Sequence, residues 1–187
     1  ALAQTQYQEA ENMTDRIAAL SAMLHCSSAL DKAHSKTRKQ VLAHFYQEFE
    51  SEALVIDKWF NLQATTNEPI EAGGATVLAR VKALMQHPDF SLKNPNRARS
   101  LLMGYCRMNP AAFHRTDAAG YVFWADRVME LDGINPQVAA RLARALDRWK
   151  KLAEPYRSAA REAIARVAAK ADLSNDVREV VSRALAD

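Results

Sequence analysis

Glycine and proline are scarce in this chain, at five and six residues, and no run approaches the roughly 18 consecutive apolar residues of a membrane span. With 49% hydrophobic residues over 187 positions, this sparing use of backbone breakers points to globular rather than disordered structure, with one compact core. Residues 1 to 30 lack the basic start, apolar centre and cleavage pattern of a signal peptide, so a soluble, cytoplasmic protein is expected. Cysteine occurs only as Cys26 and Cys106, without a C-x-x-C partner; both are read as buried free thiols rather than a zinc knuckle or a redox motif. Runs of β-branched residues are scarce, alanine is abundant, and apolar residues return at three and four rather than at two. An all-α chain is expected.

Chemical motifs are missing as well. Zinc hydrolysis of the H-E-x-x-H kind needs two histidines one helical turn apart with a glutamate to activate water, but His25, His34, His44, His87 and His114 assemble no such set. There is no G-x-S-x-G elbow for a nucleophile and no glycine-rich phosphate loop; Gly73-Gly74 reads as a turn. Glu48, Glu50 and Glu52 are expected to spread around a helix and solvate it. The chain by itself is therefore expected to be no enzyme, and to hold no metal or cofactor.

The sequence does contain a succession of short amphipathic segments between sharp stops. Asn12 or Thr14 is expected to cap a helix carrying Ile17, Leu20 and Leu24, and Ser28 with Asp31 resembles a capping box. A longer helix through Val41, Phe45 and Phe49 comes next. ALVIDKWFNLQAT, residues 53–65, is apolar around much of its circumference and reads as a helix buried between neighbours, with Trp59 and Phe60 in the core. Asn-Pro then occurs three times, at Asn94-Pro95, Asn109-Pro110 and Asn135-Pro136; each pairs a capping side chain with the residue that best tolerates the first helical position. Further helices are expected over 119–131, 135–151, 154–171 and 176–185. Short connections make consecutive helices antiparallel neighbours, which gives an α-solenoid of stacked antiparallel helical hairpins, an ARM/HEAT-like superhelix without a fixed repeat period.

In the helix opened by Pro136, Val138, Leu142, Leu146 and Trp149 form a buried stripe, and Gln137, Arg141, Arg144 and Arg148 form a polar ridge beside it. Three uses are open to that ridge: a solvated face, a nucleic-acid surface, or the wall of a cavity. Charge divides unevenly, with 8 basic and 11 acidic residues up to Phe90 and 17 basic and 11 acidic beyond, or −3 followed by +6. RWKKL with Tyr156-Arg157 interleaves aromatics with base, but Trp149 belongs to the stripe and Tyr156 to a helix start, so nucleic-acid binding is not expected. ALAQTQYQEAE is helix-compatible without an initiating Met or visible cap, and is expected to continue a larger polypeptide.

NMTDRIAALSAM at 12–23, DKWFNLQAT at 57–65, HPDFSLKNPNRARSL at 87–101, NPAAFHRTDAAGYVFWAD at 109–126 and INPQVAARLARAL at 134–146 resemble, in that order, the C-terminal helical domain of bacterial aminopeptidase N, the alanyl aminopeptidases of the gluzincin class. The resemblance implies that residues 1–187 are one helical domain, the C-terminal part of a larger multidomain enzyme. Its zinc site would lie in an upstream catalytic domain, with which this domain would enclose a cavity and restrict it to small peptides. It also implies substrate-binding roles, beyond the scissile bond, for Arg99 of NPNRARS and for Gln137 and Arg141 of NPQVAAR, leaving Arg144 and Arg148 to interface or solvent. Ala118 stands where many members carry glycine, and the segment from Asn67 to Gly74 departs in length and composition. The alternative is a free-standing helical-repeat adaptor that binds a protein or RNA through the basic half.

Overall fold

The computed structural model describes residues 2–25, 32–68 and 75–186; the expected capping box at Ser28 and Asp31, the thiol of Cys26 and the Gly73-Gly74 turn lie outside them. Every regular element among the described residues is helical. α1 (Leu2–Glu9) packs on α2 (Met13–His25), and α2 on α3 (Lys32–Phe49) and α4 (Ala53–Ala64). Asn12 starts α2: its Oδ1 accepts from the Asp15 amide at 2.9 Å and its Nδ2 donates to the Asp15 carboxylate at 2.7 Å, while Thr14 lies inside the helix. Phe45 and Phe49 stack within α3, 4.7 Å between ring centroids. Glu50 and Glu52 correct the expectation for that stretch, because α3 ends at Phe49 and both occupy the turn after it.

α4 is buried much as its composition predicts. Val55, Ile56, Trp59, Phe60 and Ala64 are all in the core, and with them Asp57 and Gln63. The Trp59 indole donates to the Leu42 carbonyl at 3.0 Å, so a ring too polar for oil loses nothing by burial. α5 (Val77–Leu84) starts on Thr76, whose hydroxyl accepts from the Ala79 amide, and closes the other side of α4.

All three Asn-Pro pairs start helices: Asn94 opens α6 (Pro95–Ala98), Asn109 opens a single turn, and Asn135 a further helix later in the chain. α6 runs through a π-turn (Arg99–Met103) into α7 (Gly104–Met108); the single turn is α8 (Pro110–Phe113). α9 (Ala119–Asp132) then packs on α10 (Pro136–Ala143) and α11 (Tyr156–Ala168), both of which meet α12 (Asn175–Leu185). At the end of α9, Asp132 is buried and accepts from the Ser174 amide at 2.9 Å and from its hydroxyl, while Ser174 caps α12.

The expected helix over 135–151 is not continuous. It is α-helical only to Ala143 and continues as two tight 3₁₀ turns, Arg144–Leu146 and Trp149–Lys151. Two indoles account for the break: Trp124 donates to the Leu142 carbonyl at 2.9 Å, and Trp149 reaches the Ala184 carbonyl at 2.8 Å. The tightened turns still keep Val138, Leu142, Leu146 and Trp149 buried, so the apolar stripe survives the loss of the helix. α11 is likewise shorter than the expected 154–171: it runs from Tyr156 to Ala168 with Pro155 in the N-cap position, and the Glu154 carboxylate ahead of it accepts from the Ser158 amide at 3.1 Å. One hydrophobic core runs from Tyr7 to Val181 through this stack of short helices. No helix among the described residues is long and apolar enough to cross a membrane.

Candidate functional site

The polar ridge begins at a helix start fixed by its side-chain cap. Asn135 is extended and its side chain accepts from the Val138 amide at 3.2 Å, with Pro136 in the first turn. That cap fixes the rotation of α10. Val138, Ala139, Leu142 and Ala143 then face the core, and Gln137 and Arg141, one turn apart, face outward. Both are exposed, and neither enters a hydrogen bond or ion pair with a described residue. Arg144 and Arg148 are also exposed, but they stand on and beside the 3₁₀ turns and so leave the line that Gln137 and Arg141 define.

Arg99 comes to the same neighbourhood by another route, since the π-turn that it opens packs against α10. Its Nε donates to the Pro95 carbonyl at 3.1 Å and an Nη to the Asn96 side chain, both in the preceding turn. No carboxylate among the described residues neutralises it. A guanidinium carries five N–H donors, so donors remain for a ligand. The structure thus brings the element of Arg99 beside that of Gln137 and Arg141.

Sequence reasoning missed the supports beneath these residues. Arg97, two positions before Arg99, is 5% exposed and donates from Nε to Asp57 of α4 at 2.7 Å. Its guanidinium lies 4.9 Å from the centre of the Phe60 ring. On the far side of the π-turn, Asn61 of α4 donates to the Ser100 carbonyl at 3.0 Å. Gly104 admits that side chain, because a Cβ there would stand 2.8 Å from the Asn61 nitrogen. A signal for the π-turn is present in the pattern of burial: Arg97 and Ala98, Leu101 and Leu102, Tyr105 and Cys106 recur every four residues, a spacing that a regular α-helix does not hold on one face.

Elsewhere four histidines and Cys106 have structural duties. His25 bonds the Ser21 and Thr65 carbonyls, His44 the Tyr7 hydroxyl, and His87 packs against Tyr46, Trp59 and Phe60. His114 meets the Tyr121 hydroxyl at 2.8 Å; burial holds its pKa below the usual histidine value and pushes Tyr121 up to about 12. Cys106 is buried and its thiol is pushed up, as expected for an inert core cysteine. Among the described residues no three His, Cys, Asp or Glu side chains gather where they could hold a metal. Trp149 is buried and bonded to the backbone, so the RWKKL segment has no indole to offer a base for stacking.

Short hairpins stacked on one core, with an exposed polar face fixed by capped helices, define a helical-repeat domain. The chain belongs to the family described as a domain of unknown function (DUF3458_C) with ARM repeats, whose model matches residues 1–186. It is 38% identical over 185 residues to aminopeptidase N of Escherichia coli strain K12, an alignment that covers 99% of this chain and 20% of that protein. Aminopeptidase N of Caulobacter vibrioides is also 38% identical, over 94% of this chain and 19% of the relative. Among solved structures, Legionella pneumophila aminopeptidase A in complex with aspartic acid superposes with a TM-score of 0.84 at 29% identity, over 98% of this chain and 20% of that one. The part matched is the C-terminal helical domain of an aminopeptidase, and the chain spans about a fifth of the length of these relatives. A free-standing adaptor is not favoured by these likenesses.

Proposed function

We propose that this chain is the noncatalytic C-terminal domain of a zinc aminopeptidase that removes N-terminal residues from small peptides. In this reading it walls the internal cavity, limits access to it, and meets the peptide beyond the scissile bond through Arg99, Gln137 and Arg141. The observation that carries the reading is the pair Gln137 and Arg141: two exposed polar side chains on one face of a firmly capped helix, with no partner among the described residues, in a chain alike over its whole length to aminopeptidase N. Polar side chains that serve the fold are bonded here; these are not.

The chemistry that each side chain brings is simple. A planar guanidinium matches a peptide carbonyl or a terminal carboxylate with two parallel donors, and an amide both donates and accepts, which suits a backbone in either direction. Such contacts orient a peptide without breaking a bond. The zinc that the family resemblance implies belongs, in this reading, to the upstream catalytic domain of the parent protein.

Arg141→Ala in the full-length protein tests the reading. Losing one charge-assisted contact is expected to raise KM about tenfold for peptides longer than a dipeptide, with a much smaller change for dipeptides. An unchanged dependence on peptide length would remove the wall from the account. The purified chain alone is expected to hydrolyse no aminoacyl substrate, and zinc-dependent turnover by it would contradict the noncatalytic assignment.

A further inference from the structure

The π-turn that opens at Arg99 is held in place from outside its own helix. An uninterrupted α-helix would carry buried pairs spaced by four around its surface by about 40° per step, hence about 80° from Arg97 to Tyr105. One inserted residue rotates the downstream part of the helix by about 100°, so a single π-turn returns Tyr105 and Cys106 to the core face. Such an insertion also disturbs the carbonyl ladder. Asn61 answers this by donating to the Ser100 carbonyl at 3.0 Å, and Gly104 leaves it the room, with a hypothetical Cβ 2.8 Å from the Asn61 nitrogen and 3.1 Å from the Ala64 Cβ.

We propose that Asn61 is a positioning residue: by holding the Ser100 carbonyl it fixes the phase of the π-turn, and with it the direction from which Arg99 meets the peptide. This role rests on the cavity-wall reading of Arg99. Arg99 is the first residue of the turn and Ser100 the second, so a shift of one residue in the insertion would swing the Arg99 side chain by about a quarter of the helix circumference. Its ties to Pro95 and Asn96 hold the side chain to α6 but do not fix α6 against α4; the buried Arg97 to Asp57 bond and the Asn61 to Ser100 bond do so from either end. Asn61 itself is half-buried and makes one strong hydrogen bond, to a carbonyl that an α-helix would have left to its own amides.

The test compares Asn61→Ala, Arg99→Ala and the double variant in the full-length protein, on a dipeptide and a tetrapeptide. Asn61→Ala is expected to raise KM for the tetrapeptide by about fivefold to tenfold with little change in kcat, to move the dipeptide KM far less, and to add nothing in the Arg99→Ala background. Gly104→Ala, which pushes the amide off Ser100, is expected to reproduce the effect without adding to Asn61→Ala. Where Asn61→Ala does not fold, Asn61→Asp keeps the size and sets a carboxylate against the carbonyl, with the same expectation. A loss that falls equally on both substrates, or one that adds to Arg99→Ala, overturns the proposal. If Arg99→Ala shifts the tetrapeptide KM and Asn61→Ala does not, the positioning role falls and the wall stands. If neither Arg99→Ala nor Arg141→Ala shifts it, both fall.

Discussion

α4 and α10 both carry polar residues at helical spacing, and they treat them in opposite ways. On α4, Asp57 is paired with Arg97, Asn61 with the Ser100 carbonyl, and Gln63 with the Trp59 carbonyl, so each inward polar group is answered by the fold. On α10, Gln137 and Arg141 are answered by nothing among the described residues. A polar group buried without a partner costs far more than it returns, which explains the bonds on α4. An exposed one costs little, so stability does not explain its presence. The contrast separates residues that hold the structure from residues that the fold does not need, which leaves Gln137 and Arg141 free for the contact proposed above.

The largest expected effect comes from breaking α4's side of that contrast. Asp57→Ala strands the Arg97 guanidinium, 5% exposed and with one Nη already unpartnered, and should cost about 3–5 kcal/mol. Arg141→Ala, by contrast, should change stability by less than about 0.5 kcal/mol while raising KM for the longer peptides. Urea unfolding of the two variants checks this directly. A large loss at Arg141 would place it among the structural residues and weaken its assignment to the wall.

A middle-sized effect separates two copies of one device. Asn109 and Asn135 each cap a helix ahead of proline, but the Asn109 amide is buried and also donates to the Ala64 and Thr66 carbonyls at 3.0 and 2.7 Å, tying α8 to the end of α4. Asn135 is a cap alone. Asn109→Ala should therefore cost about 2–3 kcal/mol, the cap plus two unanswered carbonyls, against about 1 kcal/mol for Asn135→Ala. Equal losses in thermal unfolding would mean that the cross-ties contribute little.

The same pair shows how far the sequence could be read. Asn-Pro announces a helix start because cap and first turn are local chemistry, and all three starts are where the sequence puts them. Burial of Trp59, Phe60 and the stripe from Val138 to Trp149 is set by periodicity. What Asn109 does for α4 was not legible, since its partners lie more than forty residues away. The break after Ala143 was hidden for the same reason: it is accompanied by long-range bonds, from Trp124 to Leu142 and from Trp149 to Ala184 of α12, that no local pattern announces. The π-turn left only a faint trace, a spacing by four that drifts about 40° per step on an α-helix, and its hold by Asn61 left none, since Ser100 lies 39 residues away. Arg99, Gln137 and Arg141 came from likeness to a family; residue pattern alone left the ridge open among three uses.

The smallest expected effect concerns a helix start made without a side-chain cap. The N-cap of α9 is Ala118, which has φ 56° and ψ 4°, the left-handed region that glycine enters freely and alanine does not. The strain has a visible cause. Gly120 lies so close to the preceding turn that a Cβ would stand 2.1 Å from the Phe113 carbonyl oxygen, so the chain must double back sharply between Phe113 and Gly120. Asp117 supports the turn by accepting from the Ala119 amide at 3.1 Å, with Arg115 bonded to its carboxylate. Ala118→Gly would relieve about 1–2 kcal/mol of left-handed strain, but it frees the unfolded chain and removes a half-buried methyl, which returns much of that gain. A net stabilisation of about 0.5 kcal/mol is expected, seen as a slightly higher urea midpoint with the slope unchanged. A lower midpoint would show that the methyl's packing outweighs the strain, and would make Ala118 a residue that the fold uses, like those of α4, rather than one that it tolerates.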